Sequence, residues 1–461
     1  MSDEPRLTSW TTLPDSDRAP ADNMSPVEPV APDSKPTIFE RYAALSAPVR
    51  WMTSAAIGIF VLSLVQTVGR DDTTVLTEPG TAGAMLRFAV PILLAGLGGL
   101  FSERAGVVNI GLEGMMILGT WFGAWGTVNF GSPWAGLVCG LVGGALGGLL
   151  HAIATVSFGV DHIISGVAIN ILTPGLARFA SDRLSQADRN SFPTKWEGGS
   201  ITQSPRAGGL PKINVPYLAG GNDTYNLLGE IDDADIFFVS DVAGILEGFM
   251  TQLSLFTVIA FALVPVSAVL LWKTRMGLRI RICGERPEAG ESLGVNIYLY
   301  KYIGVIMSGA MAGLAGAFIV MELSNVYREG QTQGRGFIGL AALIFGNWRP
   351  VGIMLGSLLF GYPFVLALRD GDGVATHALL LVIAIALTAV MAWSIKQANR
   401  TDAIIAGVLA ATVLLWWALT DVAPNWLPNT MPYATVLLVL VFMSQRLRPP
   451  AADGQIYRKG E

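Results

Sequence analysis

The stretch 101–126 places ionisable and amide side chains inside a nearly continuous apolar region. It carries Glu103, Arg104, Asn109 and Glu113, with glycines at 106, 111, 114, 119, 123 and 126. Charged groups at membrane depth are costly and normally face the interior of a helix bundle, a partner or a water-filled route. Glycines let helices approach closely and let a helix break where protein surrounds it. The stretch therefore predicts a broken transmembrane element that lines a polar route.

Asn109 and Glu113 are the first candidates to line this route. If the segment is helical, residues four apart share one face, so both side chains would point the same way. The alternative is that Glu113 only pairs with a neighbouring helix.

The composition of the whole chain places it in a bilayer. Its 461 residues are 52% hydrophobic and only 14% charged, and its mean hydropathy is +0.50. Soluble domains are less apolar than this. The net charge of -5 gives no indication of nucleic-acid binding, and the two cysteines and three histidines have neither disulfide nor metal-ligand spacing.

Twelve apolar stretches approach the length of about 20 residues that a helix needs to cross the hydrocarbon layer. The predicted spans are 52–68, 82–101, 113–130, 134–158, 162–181, 251–272, 301–321, 337–348, 351–369, 376–394, 403–420 and 431–445. The stretch 337–348 is short and could be re-entrant. The fold class is therefore an all-α polytopic membrane bundle with about 10–12 transmembrane helices, some of them short or broken.

Two polar segments and the chain ends set the expected orientation. Residues 1–45 are rich in proline and acids and predict a disordered cytoplasmic tail, and we expect no cleavable signal peptide there. The segment 183–248 predicts an extracytoplasmic loop, with a short amphipathic helix near 240–250. The basic segment 273–296 and the tail 446–461 are expected in the cytoplasm. Within 273–296, Pro287 and Gly294 would bound a short surface helix over 287–293.

Small residues at helical spacing mark helix contacts. One stripe is formed by Gly136, Gly140, Gly144 and Gly148, and another by Gly309, Gly313 and Ala317. We assign these residues to packing. The segments GLEGMMILGTWFGAW (111–125) and GRGFIGLAALIFGNW (334–348) also echo each other, as the repeats of transporter halves do.

The segment SERAGVVNIGLEGMM (102–116) resembles the signature of ABC-transporter permeases of the nucleoside and simple-sugar type, within the wider group of ribose and branched-chain amino acid permeases. Three later stretches are similar to the same family and follow in its order: DHIISGVAIN (161–170), TRMG to Gly294 (274–294), and GFIGLAALIFG (336–346). Together they cover most of 82–370.

The resemblance implies a multi-pass cell-membrane subunit that works with a second permease, two cytoplasmic ATP-binding subunits and an extracytoplasmic substrate-binding lipoprotein. The sequence has no G-x-x-x-x-G-K-[ST] phosphate loop. We therefore expect a transport subunit that is not itself an enzyme and binds no cofactor, with ATP hydrolysed by its partners. Whether the two permeases are identical stays open.

The resemblance also suggests which residues carry the function. The cargo would be a nucleoside or a simple sugar, which suits amide and carboxylate groups. The candidates for the substrate path are Asn109, Glu113, Asn170 and Glu322; for Asn170 a hydrogen bond between helices is an equal alternative. The candidates for coupling to the ATPase are Gly277, Arg279, Gly284, Glu285, Glu288, Glu291 and Gly294. An alternative for the coupling segment is that its arginines only set orientation and bind anionic lipid.

Three features depart from the family pattern: the tail 1–45, the wide loop 183–248, and a helix pair at 376–420 that resembles an insertion. The rival function is an ion-coupled secondary transporter in which Glu113, Asp161 or His162 carries a proton. An intramembrane enzyme is disfavoured, because Asp161 and His162 are sequence neighbours that cannot face each other on a helix and no nucleophile or metal set accompanies them. Export instead of import is a further alternative.

Overall fold

The computed structural model describes residues 47–68, 71–186, 196, 199–220, 225–370, 373–397, 399–424, 426–443 and 447–459. The predicted disordered tail, 1–45, lies outside these residues. In the unit Met1–Ala56, the described residues 47–56 are helical. The account below concerns the second compact unit, Ile57–Glu461.

Regular structure in the described residues is almost entirely helical. The helices are α1 (Ala47–Val68), α2 (Pro79–Arg104), α3 (Leu112–Phe130), α4 (Pro133–Ala152), α5 (His162–Gln186), α6 (Leu227–Asp232), α7 (Val239–Met250), α8 (Leu255–Lys273), α9 (Arg275–Glu285), α10 (Pro287–Ser292), α11 (Ile297–Phe318), α12 (Arg335–Phe345), α13 (Pro350–Arg369), α14 (Val374–Lys396), α15 (Arg400–Leu419) and α16 (Trp426–Met443). A 3₁₀ helix spans Asp71–Leu76, and π-helical turns span Ile153–Ser157 and Ile319–Ser324. Two short strands, β1 (Lys212–Ile213) and β2 (Leu253–Ser254), pair antiparallel.

Each apolar stretch identified in the sequence contains a helix in the residues that the structure describes. In the part of the chain that the structure describes, eight helices are long and apolar enough to cross a membrane, and residues 53–67 and α12 are shorter apolar helices. The protein is therefore an all-α polytopic membrane protein. The short α12 is 11 residues long, as the sequence indicated for 337–348.

Helix α2 lies at the centre of the bundle. Its residues from Ala89 to Phe101 are buried on every side, which explains why the sequence there has no polar face. Glycines allow this close packing: a Cβ built on Gly96 would lie 3.0 Å from the carbonyl oxygen of Gly339, and one on Gly98 would lie 2.7 Å from that of Ser308. Helices α11 and α12 therefore both contact α2 through its glycines.

The two glycine stripes found in the sequence pack against each other. A Cβ built on Gly144 of α4 would lie 2.2 Å from the carbonyl oxygen of Gly309 on α11, and one on Gly313 would lie 2.2 Å from that of Gly140. No larger side chain fits between these backbones without a shift. The stripes thus set a close backbone contact between α4 and α11.

The two polar segments lie at opposite ends of α2. Near its start, Arg369 pairs with Glu78 at 2.9 Å and Thr77 donates a hydrogen bond to Asp241. At its end, Arg104 lies 3.2 Å from Glu285 of α9. We call the end that carries 274–296 the coupling face, and the other end the wide-loop face.

Beyond α13, helices α14 and α15 pack mainly against each other and leave much of α15 exposed to the surroundings. They correspond to the helix pair predicted as an insertion.

Candidate functional site

A helix break separates α2 from α3. Helix α2 ends at Arg104 and α3 begins at Leu112, and the turn between them requires Gly106 in the left-handed region, at a φ of +79°. The hydroxyl of Ser102 stabilises the turn by donating to the carbonyl oxygen of Val107 at 2.6 Å. The predicted broken element is therefore present.

Asn109 lies within this break. The expectation that Asn109 and Glu113 share one face of a helix is wrong, because α3 begins only at Leu112. Asn109 is fully buried, and its Nδ2 donates to the hydroxyl of Ser308 on α11 at 2.8 Å. Its Oδ1 accepts no hydrogen bond from the described residues. Asn109 therefore joins the break to α11 and keeps one unused acceptor.

Asn170 binds the break from the side of α5. Its Nδ2 donates to the carbonyl oxygen of Ile110 at 2.9 Å, and its Oδ1 accepts from the backbone nitrogen of Gly114 at 2.8 Å. Both ends of the amide are thus engaged. This is the hydrogen bond between helices that the sequence left as an alternative to a substrate contact.

Two side chains that sequence reasoning did not select also hold the break. His151 lies within hydrogen-bond distance of the Val108 carbonyl oxygen, at 3.1 Å, and of the Ser165 hydroxyl, at 2.9 Å. Lys301 donates to the Gly106 carbonyl oxygen at 3.3 Å. The sequence does contain one indication of the role of His151, because this residue comes three positions after the last glycine of the stripe on α4, where close helix packing is expected.

Glu113 connects the break to α12. Its Oε1 accepts from the backbone nitrogen of Gly334 at 2.9 Å, and its Oε2 accepts from that of Gly336 at 2.7 Å. These nitrogens belong to the first turn of α12, where helical N–H groups lack internal partners and the helix dipole favours a negative charge. A Cβ on Gly336 would lie 2.6 Å from the Glu113 Cα, so glycine is required there.

The other end of α12 is bound by the end of α2. Trp348 Nε1 donates to Glu103 Oε2 at 2.5 Å, and Arg104 donates to the Trp348 carbonyl oxygen at 3.0 Å. Trp348 and the preceding Asn347 both have positive φ, at 53° and 50°. One glutamate at each end of α12, Glu113 at its start and Glu103 at its end, thus joins this glycine-rich helix to α2 and α3.

Glu322 lies apart from the break, in the π-helical turn Ile319–Ser324. Neither of its carboxylate oxygens makes a hydrogen bond with the described residues, and it lines a cavity of about 440 Å³. The other lining residues come from the wide-loop face and include Arg206, Lys212 and Asn325. The substrate-path candidates therefore form one cluster at the break, with Glu322 at a second place.

The coupling candidates fall into two groups, of which the first is glycines. A Cβ on Gly277 would lie 2.1 Å from the Leu270 carbonyl oxygen, and one on Gly284 would lie 2.5 Å from that of Arg104. Gly294, at a φ of +78°, follows the end of α10, and its N–H donates to the Glu291 carbonyl oxygen at 2.8 Å. The short surface helix and its glycine terminator were thus predicted correctly.

The charged coupling candidates differ in how they are held. Arg279 donates to the Tyr300 hydroxyl at 2.6 Å, and Glu285 pairs with Arg104. Glu291 accepts from the Tyr457 hydroxyl at 2.5 Å. Glu288 is exposed on α10. Of these acids, Glu288 presents the most accessible carboxylate to a partner.

The described residues contain no group of three His, Cys, Asp or Glu side chains that could hold a metal ion. Cys139 and Cys283 are free thiols, and Cys283 is buried and donates to the Arg279 carbonyl oxygen at 3.0 Å.

Comparison with known proteins agrees with this geometry. The family model described as a permease component of branched-chain amino acid transport systems matches residues 81–369. That range begins in α2, ends with α13, and includes the break, α9 to α12 and the glycine stripes. No solved structure matches the chain.

Among curated proteins, the chain is 36% identical over 294 residues to a nucleoside ABC transporter permease protein of Lactococcus lactis, covering 62% of this chain and 82% of the relative. It is 36% identical over 292 residues to a guanosine ABC transporter permease protein of Bacillus subtilis, covering 62% and 81%. A putative glucose ABC transporter permease protein of Haloferax volcanii is 31% identical over 385 residues, covering 82% and 98%.

Proposed function

The chain belongs to the permease family of the branched-chain amino acid transport systems and is a permease subunit of an ABC transporter, and we propose that its cargo is a nucleoside. The observation that supports a neutral polar cargo is the buried polar cluster at the break, and the choice of a nucleoside rests on the relatives. Asn109 has an unused amide oxygen there, close to Glu113 and Asn170, within a membrane-embedded bundle. A neutral cargo with many donors and acceptors matches amide and carboxylate groups.

The names of the relatives support the same cargo. The relatives from Lactococcus lactis and Bacillus subtilis are nucleoside and guanosine permeases, at 36% identity. A simple sugar is the second candidate, since the putative glucose permease of Haloferax volcanii matches over 98% of its own length. Both cargoes carry vicinal hydroxyl groups that such a cluster can bind.

Membership of an ABC permease family implies partner subunits that hydrolyse ATP and deliver substrate. We propose two cytoplasmic ATP-binding subunits at the coupling face, a second permease subunit, and a substrate-binding lipoprotein at the wide-loop face. In this orientation both chain ends are cytoplasmic, as the basic segment 273–296 favours. The chain binds no cofactor in this proposal, and its own sequence lacks a phosphate loop.

The proposed cycle uses alternating access. Cargo enters near the cavity beside Glu322, passes the break, and is released at the coupling face when the ATPases reorient the two permeases. Because α12 is anchored to the first half at Glu113 and at Glu103, movement of α2 and α3 would carry α12 with it.

The experiment is uptake of labelled adenosine, uridine and ribose by cells with and without the gene, repeated after ATP depletion and with an ionophore. ATP-dependent loss of nucleoside uptake without the gene, with ribose uptake unchanged, is the expected result. Loss of ribose uptake alone would move the cargo to sugars. Uptake that is abolished by the ionophore and survives ATP depletion would replace this proposal by a secondary transporter.

A further inference from the structure

Residues 447–459, which we call the strap, lie across the coupling face. The backbone nitrogen of Ala452 donates to the Gly284 carbonyl oxygen at 2.7 Å, and that of Ala451 donates to Glu285 Oε2 at 3.3 Å. At its start, the backbone nitrogen of Arg448 donates to Asn347 Oδ1 at 2.8 Å. The strap therefore contacts both α9 and the turn that follows α12.

The middle of the strap contacts the helix break. A Cβ on Gly106 would lie 3.3 Å from the Ala452 carbonyl oxygen, and one on Gly454 would lie 3.5 Å from Val108 Cγ2. Between these points the Asp453 carboxyl group is buried beside Glu103 at the end of α2, with the ammonium group of Lys301 nearby. Lys301 is the same side chain that donates to the Gly106 carbonyl oxygen.

The far part of the strap returns to the coupling helices. The Tyr457 hydroxyl donates to Glu291 Oε2 of α10 at 2.5 Å, and its ring meets that of Tyr298 with centroids 5.6 Å apart. Lys301 Nζ lies 5.9 Å from the centre of the Tyr457 ring. One short segment thus joins α10, α11, the break and the end of α12.

Helix α9 also contacts the break directly, since a Cβ on Gly106 would lie 2.9 Å from the Cys283 carbonyl oxygen and 3.1 Å from the Gly284 Cα. Gly284 packs against the end of α2, and Glu285 forms an ion pair with Arg104 in which the Glu285 side chain is 47% exposed. An ion pair this exposed contributes little by itself. The strap adds a connection that α9 does not make, because it also joins α10, through Glu291, and the turn after α12, through Asn347, to the break.

We propose that the strap transmits movement of the coupling helices α9 and α10 to the helix break, with Asp453 and Tyr457 as its positioning residues. Displacement of α10 by an ATP-hydrolysing partner pulls Tyr457 through Glu291. The strap then moves Asp453 against Glu103, and the Gly106 turn moves with it. This proposal rests on the proposed function only for the source of the displacement, since the contacts themselves do not depend on the cargo.

The first test is hydrogen exchange on the purified full-length permease. The double variant Asp453→Ala/Tyr457→Phe removes the buried carboxyl group and the hydroxyl, and Gln455→Ala is the matched control because Gln455 bonds only within the strap. In the double variant we expect faster exchange both in 284–292 and in 103–108, with the control unchanged. Exchange that rises in the strap alone would overturn the proposal.

The second test measures cargo transported per ATP hydrolysed in the reconstituted transporter. We expect a decrease of at least about threefold in the double variant, and partial restoration when Asp453→Asn replaces Asp453→Ala, since the amide keeps the shape of the carboxyl group while the Tyr457 hydroxyl is still absent. An unchanged ratio would overturn the proposal, as would loss of the ATPase subunit from the complex, which would make the strap a docking element. If wild-type vesicles transport no nucleoside, the proposed cargo fails, and the exchange result still decides the role of the strap.

Discussion

The carboxylate of Glu113 lies 2.7 Å from the backbone nitrogen of Gly336, a residue 223 positions later in the chain. Through this contact an acid in the first turn of α3 supplies the N-terminal acceptor that α12 lacks. A hydrogen bond from a helical N–H group to a charged acceptor contributes about 1.5–3 kcal/mol to the stability of the folded protein. The two halves of the permease are therefore joined by a buried side-chain-to-backbone link.

Substitution of Glu113 should impair transport in a graded way. Glu113→Gln replaces one acceptor oxygen by an NH₂ group that cannot accept from the Gly334 or Gly336 nitrogen, and Glu113→Ala removes both acceptors. We expect uptake to fall by about tenfold for Gln and further for Ala, since one charged hydrogen bond is lost in the first case and two in the second. Initial uptake rates, normalised to the amount of permease in the membrane, measure this. Wild-type rates in both variants would exclude Glu113 from the path.

The contact between α4 and α11 should not tolerate an added methyl group. In Gly309→Ala the new Cβ would lie 2.3 Å from the Gly144 carbonyl oxygen, and overpacking of this kind costs about 1–3 kcal/mol. We expect a lower melting temperature of the detergent-solubilised protein. The control is Gly175→Ala on α5, where nothing lies within 4 Å of the new Cβ. Equal melting temperatures for the two variants would contradict the packing assignment.

Charge reversal on α10 should weaken binding of the ATP-hydrolysing partner. Glu288 is exposed, so Glu288→Lys changes the surface without removing a contact inside the chain. We expect recovery of the partner in affinity purification to fall severalfold, with membrane insertion intact. Asp233→Lys, an exposed acid at the wide-loop face, is the matched control. Full recovery with Glu288→Lys would leave lipid binding and orientation as the role of 273–296.

Docking of the strap should depend on pH. Burial raises the pKa of Asp453 to about 7, far above the value of an unfolded aspartate, about 3.9. The docked state therefore holds a proton that the undocked strap has already released above about pH 3.9, so docking is strongest below about pH 4, weakens as the pH rises towards 7 and levels off above it. The groups that face Asp453 are Glu103, Lys301 and Arg104.

This pH dependence can be measured as protection of the Ala452 N–H at pH 6 and pH 8, after correction for intrinsic exchange. We expect lower protection at pH 8 in the wild type and a smaller difference between the two pH values in Asp453→Asn. A wild-type strap that is equally protected at both pH values would show that Asp453 does not titrate in this range.

Features that depend on neighbours in sequence were predictable. Apolar length identified the helices, and the glycine and charge pattern around 101–126 identified the break. Pro287 and Gly294 set the limits of α10 within one residue. In each case the signal and its cause lie within a few residues of each other.

Features that depend on distant partners were not predictable. The assignment of Asn109 to a helical face failed because Gly106 turns the chain and delays α3 to Leu112. The acceptors at Glu113 are used by backbone nitrogens more than 220 residues away, and backbone groups carry no sequence signature. The strap contacts were missed for the same reason, since Tyr457 and Asp453 have no pattern that points to Glu291 or Glu103.

The bond between Glu103 and Trp348 has a consequence for biosynthesis. The two residues are 245 positions apart, so the insertion machinery handles Glu103 long before Trp348 has been translated. A lone carboxyl group at the end of a membrane helix needs water or another donor until its partner arrives. The end of α2 therefore gains this bond only after α12 and Trp348 have been inserted beside it.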